Sequence, residues 1–179
     1  MSPSCVLILP GWQNSGPDHW QSRWETAHGY QRVLQHDWMR PLRGDWLIQL
    51  EEAVLDAPEP VVLVAHSLGC LQTAAWAAHS QHTARIKAAL LVAPPDLDRP
   101  DLRELLPTWS PIERRRLPFV TEVLASRDDP YGDWAHALRL AADWGATLVD
   151  EGPRGHLNAE SGLGDWPEGH ARLSRLKAR

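Results

Sequence analysis

Short apolar runs alternate with longer amphipathic stretches along the chain. The runs at 5–9, 32–36, 61–65, 88–92, 120–125 and 147–149 are rich in Val, Leu, Ile and Ala, and several are continuous rather than alternating. Continuous runs of this length predict strands of a parallel sheet covered on both faces, because a half-exposed strand alternates apolar and polar positions. Between them, stretches of helical character fall at 18–27, 45–56, 68–79, 133–144 and 167–177. Trp20 and Trp24 stand one turn apart, as do Trp46 and Leu50, so each pair builds an apolar stripe. Pro167 suits a first helical turn, where its missing N–H would be unpaired anyway.

Repeated strand–helix–strand units predict an α/β fold: a sheet of about six mostly parallel strands with helices on both faces. The 179 residues suit one domain, 1–179, with no internal repeat or linker. The proline-rich stretch 94–118 is too short for a cap domain. It reads either as a small helical flap or as a plain surface crossover.

Composition narrows the functional classes. Hydrophobic residues make up 43% of the chain, ordinary for a globular protein. No stretch approaches the roughly 20 apolar residues that span a bilayer, and the first four residues lack the basic region of a secretory leader. A cytoplasmic protein is expected, with no membrane partner. The formal charge of −5 disfavours nucleic acid, and Arg114–Arg116 beside Glu113 reads as a solvated face. Cys5 and Cys70 read as buried thiols. His79 and His82 lack a third ligand, so no metal and no cofactor are expected. Ten tryptophans against two tyrosines and one phenylalanine mostly serve packing, with Trp12 and Trp166 candidates for lining a pocket.

The run Pro60–Val64 leads into Ala65-His66-Ser67-Leu68-Gly69, the setting of a nucleophile elbow: a strand, a tight turn with serine at its tip, then a helix. Ala65 replaces the usual first glycine at the cost of one methyl group. A serine hydroxyl needs a base to take its proton, and His156 in Gly155-His156-Leu157-Asn158 follows the last predicted strand. A carboxylate must orient that imidazole, and Asp128-Asp129-Pro130 follows the strand at 120–125. Ser67, the aspartate pair and His156 therefore all follow strand carboxyl ends, where open α/β sheets collect ligands. Their order, Ser then Asp then His, is that of the α/β-hydrolases. His66 is passed over as a base because adjacent side chains on an extended backbone point apart. His19 reads as a helix-start surface residue or a substrate contact. Backbone donors for an oxyanion fall at Leu68, opening the helix after Ser67, and at Trp12 in the Pro10-Gly11-Trp12 loop.

These motifs, with Gly155-His156-Leu157-Asn158-Ala159-Glu160-Ser161-Gly162-Leu163-Gly164-Asp165-Trp166-Pro167, resemble small serine hydrolases of the YdeN and retinoblastoma-binding protein 9 type. The resemblance covers nearly the whole chain and implies a compact α/β-hydrolase fold without a cap. It implies Ser67 as nucleophile, Asp129 as orienting acid with Asp128 the alternative, and His156 as base. The expected activity is cofactor-free hydrolysis of small carboxylic esters or amides through an acyl-enzyme. Two other readings stand beside it: a protein-binding module on a hydrolase fold, and an acyltransferase using the same residues.

Overall fold

The structure is a computed structural model that describes residues 4–179; residues 1–3, on which the reading of the N-terminus partly rests, lie outside the described residues. Its strands are β1 (Cys5–Leu9), β2 (Gln31–Arg32), β3 (Val61–His66), β4 (Ile86–Val92), β5 (Val120–Ala125) and β6 (Thr147–Asp150). They form one six-stranded sheet in the order β2-β1-β3-β4-β5-β6, every neighbouring pair parallel. The helices are α1 (Trp20–His28), α2 (Arg43–Asp56), α3 (Leu68–His79), α4 (Pro100–Leu105), α5 (Trp134–Trp144) and α6 (Pro167–Ala178).

The continuous apolar run of β3 is buried at every position. Its side chains alternate between two cores: Val61, Leu63 and Ala65 enter one, Val62 and Val64 the other. The first core takes Trp46 and Leu50 of α2, Leu71 of α3, and Leu140 and Trp144 of α5. Trp20 and Trp24 of α1 and Leu173 and Leu176 of α6 fill the second. Seven of the ten tryptophans are buried, and several donate their indole N–H to loop carbonyls, as Trp46 does to Asp37 and Trp109 to Pro41. Each such ring packs the core and ties down a connection at once.

The structure corrects several sequence expectations. The strand expected at 32–36 is only Gln31–Arg32. Val33 still donates to the Ile8 carbonyl at 2.9 Å, but Leu34 is 68% exposed and the Asp37 carboxylate then turns the chain by accepting from the Met39 and Arg40 amides. An edge strand has one neighbour to hold it, and this turn takes it away. Trp166 lies in the second core instead of lining a pocket. Cys5 is only half-buried, while Cys70 is buried. His82 lies beyond the end of α3 and pairs with Glu51 at 2.6 Å, so it shares no helix face with His79. Arg114 bridges Asp98 and Asp143 rather than standing free in solvent. No helix among the described residues is long and apolar enough to cross a membrane.

His19 closes the start of α1, its Nδ1 accepting from the Gln21 amide at 3.1 Å. His19 is 4% exposed, and burial, with the charges of Arg32 and His156, pushes its pKa down to about 3. The unfolded chain takes that proton near the ordinary histidine value of ~6.5, so it binds more protons than the folded chain below that pH. Stability contributed by this group therefore falls as pH drops from ~6.5 toward 3, by at most about 1.4 kcal/mol per unit. Thermal melts at pH 7.5 and 4.5 check this. His19→Asn, which keeps a capping oxygen but cannot titrate, is expected to melt lower at neutral pH yet lose less on acidification.

Candidate active site

The strand order reverses direction between β1 and β3, the point where an open α/β sheet leaves a crevice at its carboxyl edge. Leu9 is in register with Ala65, so the loop after β1 and the turn after β3 emerge side by side. Two glycines set how closely they approach. A Cβ on Gly69 would run into the Leu9 carbonyl, and one on Gly11 would stand 2.9 Å from the Ser67 Cβ. Ala65, in the place of the usual first glycine, is fully buried and accommodated. Ser67 itself adopts φ 55 and ψ −121.

At that turn the structure brings Ser67, His156 and Asp129 together. The Ser67 Oγ lies 2.8 Å from His156 Nε2, and His156 Nδ1 lies 2.8 and 2.9 Å from the two Asp129 carboxylate oxygens. A carboxylate only accepts, so Nδ1 carries the ring proton of neutral His156 and Nε2 accepts from the Ser67 hydroxyl. The Asp129 side chain is 3% exposed and that of His156 10%. Asp129 also accepts from the Tyr131 amide at 2.9 Å, which fixes the carboxylate plane.

Asp128 is turned elsewhere. It accepts from the Ser126 hydroxyl at 2.7 Å and the Gly155 amide at 2.8 Å, while Ser126 Oγ accepts from the Arg154 amide. Those donors, the serine hydroxyl first, hold the Asp128 carboxyl below the usual carboxylate range. Asp128 thus ties the loop after β5 to the loop carrying His156.

Leu68 opens α3 at the positive end of its dipole, beside the Gly11–Trp12 loop. Neither the Leu68 nor the Trp12 amide donates to another protein group among the described residues. Both border a pocket of about 610 Å³ that opens on Ser67 and His156. One wall is apolar, built from Leu97, Leu102, Leu105 and Leu106; Asn14, Asn158 and Glu160 form a polar side. The stretch 94–118 thus supplies this apolar wall, with Leu102 and Leu105 coming from α4. Tyr131 stands against His156, ring centroids 4.7 Å apart.

His66 and His19 also line this pocket. His66 does not reach Ser67; its Nε2 donates to the His156 backbone carbonyl at 2.9 Å. Burial, then the neighbouring His19 and His156, push its pKa well below the ordinary value, so the ring stays neutral. The leucine wall and Asn14 were not singled out in sequence. Only the leucine spacing within 97–106 carried a signal, and it reads equally as packing. Among the described residues no three His, Cys, Asp or Glu side chains gather as metal ligands.

The Serine hydrolase family model matches residues 6–175. The fold is similar to a YdeN-like hydrolase of Pectobacterium atrosepticum, at 29% identity and TM-score 0.86 over 98% of this chain and 91% of that one. It is similar also to the ydeN gene product of Bacillus subtilis, at 23% identity and TM-score 0.79 over 98% and 100% of the two chains. A butyrate-bound esterase of Thermogutta terrifontis shares the fold at 17% identity and TM-score 0.68, over 97% of this chain and 82% of that one. None of the curated proteins matches. With nearly the whole chain under one family model, and a YdeN-like hydrolase so similar in fold, this protein belongs to the Serine hydrolase family.

Proposed function

We propose that the chain hydrolyses small carboxylic esters through an acyl-enzyme on Ser67, with amides as the slower substrates of the same chemistry. The observation that carries this reading is the unbroken chain of contacts from Ser67 Oγ through His156 to Asp129, facing an open pocket. His156 Nε2 takes the hydroxyl proton as Ser67 attacks the carbonyl carbon. Asp129 holds the ring's orientation and offsets the charge it gains. The Leu68 and Trp12 amides hold the oxyanion, each such donor contributing about 3 kcal/mol in the transition state. As the tetrahedral species collapses, His156 gives its proton to the departing alcohol oxygen. Water then enters, loses a proton to His156 and releases the carboxylic acid, restoring the Ser67 hydroxyl.

The leucine wall suits a short aliphatic acyl group, and the esterase of Thermogutta terrifontis with bound butyrate supports that size. Each methylene buried there contributes about 0.8 kcal/mol.

Turnover of p-nitrophenyl butyrate is expected to fall by roughly 10³-fold or more in Ser67→Ala; full turnover in that variant contradicts the mechanism. Asp129→Asn is expected to lower kcat by roughly 10²–10⁴-fold, because the imidazole loses its orienting acceptor. Asp128→Asn keeps an oxygen for Ser126 and Gly155, so its turnover stays near wild type; the reverse ranking would exchange the two roles. Butyrate is expected to exceed acetate roughly tenfold in kcat/KM from two buried methylenes, and equal values would rule out the leucine wall as the acyl site.

A further inference from the structure

His156 Nδ1 is held by Asp129, but a ring held at one nitrogen still pivots with its backbone. The backbone here is unusual: Leu157, the next residue, adopts φ 49 and is fully buried. Non-glycine residues avoid this region unless their surroundings impose it. Two successive carbonyls of this segment are gripped by ring N–H donors from elsewhere in the fold. His66 Nε2 donates to the His156 carbonyl at 2.9 Å, and Trp20 Nε1 donates to the Leu157 carbonyl at 2.8 Å. His66 is the last residue of β3, directly before Ser67, and Trp20 is the first residue of α1.

We propose that His66 and Trp20 are positioning residues that clamp the His156–Leu157 backbone and so set the His156 ring against Ser67. This rests on the Ser67–His156–Asp129 reading above. The covalent route from Ser67 to His66 is a single peptide link, so any shift of the nucleophile carries the clamp with it. A carbonyl cannot donate, so the His66 proton must sit on Nε2. The rings support one another: Trp20 meets His66 edge to face at 88°, and His19 meets it at 66°. Trp24 extends the same grip farther along, its Nε1 donating to the Asp165 carbonyl at 2.7 Å. No other role is required of His66, which reaches neither Ser67 nor Asp129 by hydrogen bond among the described residues.

Loss of the clamp lets the imidazole drift by a fraction of an ångström, and misplacement on the ångström scale costs roughly 10²-fold in rate. His66→Phe keeps an aromatic ring but has no donor; His66→Gln places an amide N–H near the same point. On p-nitrophenyl butyrate, His66→Phe is expected to lose about 10–100-fold in kcat with KM within about twofold. The rate of Ser67 phosphonylation by a fluorophosphonate is expected to fall in parallel. His66→Gln recovers most of both rates. Trp20→Phe, tested alongside, loses kcat in the same way.

Wild-type kcat in folded His66→Phe, or no recovery in His66→Gln, overturns the clamp. Should His66→Phe fail to fold, wild-type kcat in Trp20→Phe overturns it. Ser67→Ala in the same series separates the two claims. Turnover surviving there sinks the triad reading, whereas turnover abolished there beside an unaffected clamp series sinks only the clamp.

Discussion

Ser67 holds a backbone conformation, φ 55 and ψ −121, that a residue with a side chain adopts only when neighbours impose it. Such strain costs of order 1–3 kcal/mol. The neighbours here are backbone, not adaptable side chains. Gly69 lets α3 start against the Leu9 carbonyl of β1, Gly11 lets the next loop press on the Ser67 Cβ, and the Ser67 amide donates to Val92 of β4 at 2.9 Å. The turn is thus pinned from the strands on both sides. Everything else at the site takes its position from that turn: the hydroxyl at its tip, the Leu68 amide behind it, and His66 before it.

The same economy of strain extends around the crevice. Positive-φ residues other than glycine occur at Gln13, Asn14, Ser67, Ala93 and Leu157, all on segments that follow strand carboxyl ends, and once more at Trp166. Buried and half-buried polar side chains hold the segment after β1. Arg32 donates to the Asn14 side chain at 2.7 Å and the Ser15 carbonyl at 3.0 Å while paired with Glu25. Gln21, fully buried, donates to the Leu9 and Val64 carbonyls and accepts from the Ser15 hydroxyl. A loop held by fixed donors at several points keeps its amides aimed without reorganisation, which is what oxyanion stabilisation requires.

Much of this was legible in the sequence, for identifiable reasons. β1, β3 and β4 are interior strands of the sheet, and their apolar runs reflect burial on both faces. The meeting of Ser67 with Asp129 and His156 followed from each lying just past a strand, since parallel strands deliver all their carboxyl ends to one rim. The edge was misjudged at 32–36 because a single neighbour and the Asp37 turn outweigh local propensity there. Asp128 and Asp129 are equivalent as letters. Only the direction of each carboxylate, toward Gly155 or toward His156, separates them. His66 was set aside because neighbouring side chains diverge, and its ring does point away from Ser67. What one-dimensional reasoning lacked was the carbonyl it meets 90 residues later in the chain.

The account stands on Ser67 being the one hydroxyl that this turn and His156 make nucleophilic. Treatment with a fluorophosphonate followed by peptide mass spectrometry tests that most directly. One phosphonyl group per chain is expected, on the peptide bearing Ser67, and none when His156 is replaced by alanine. An adduct on a different residue, or a protein that hydrolyses esters while Ser67 stays unmodified, would contradict it.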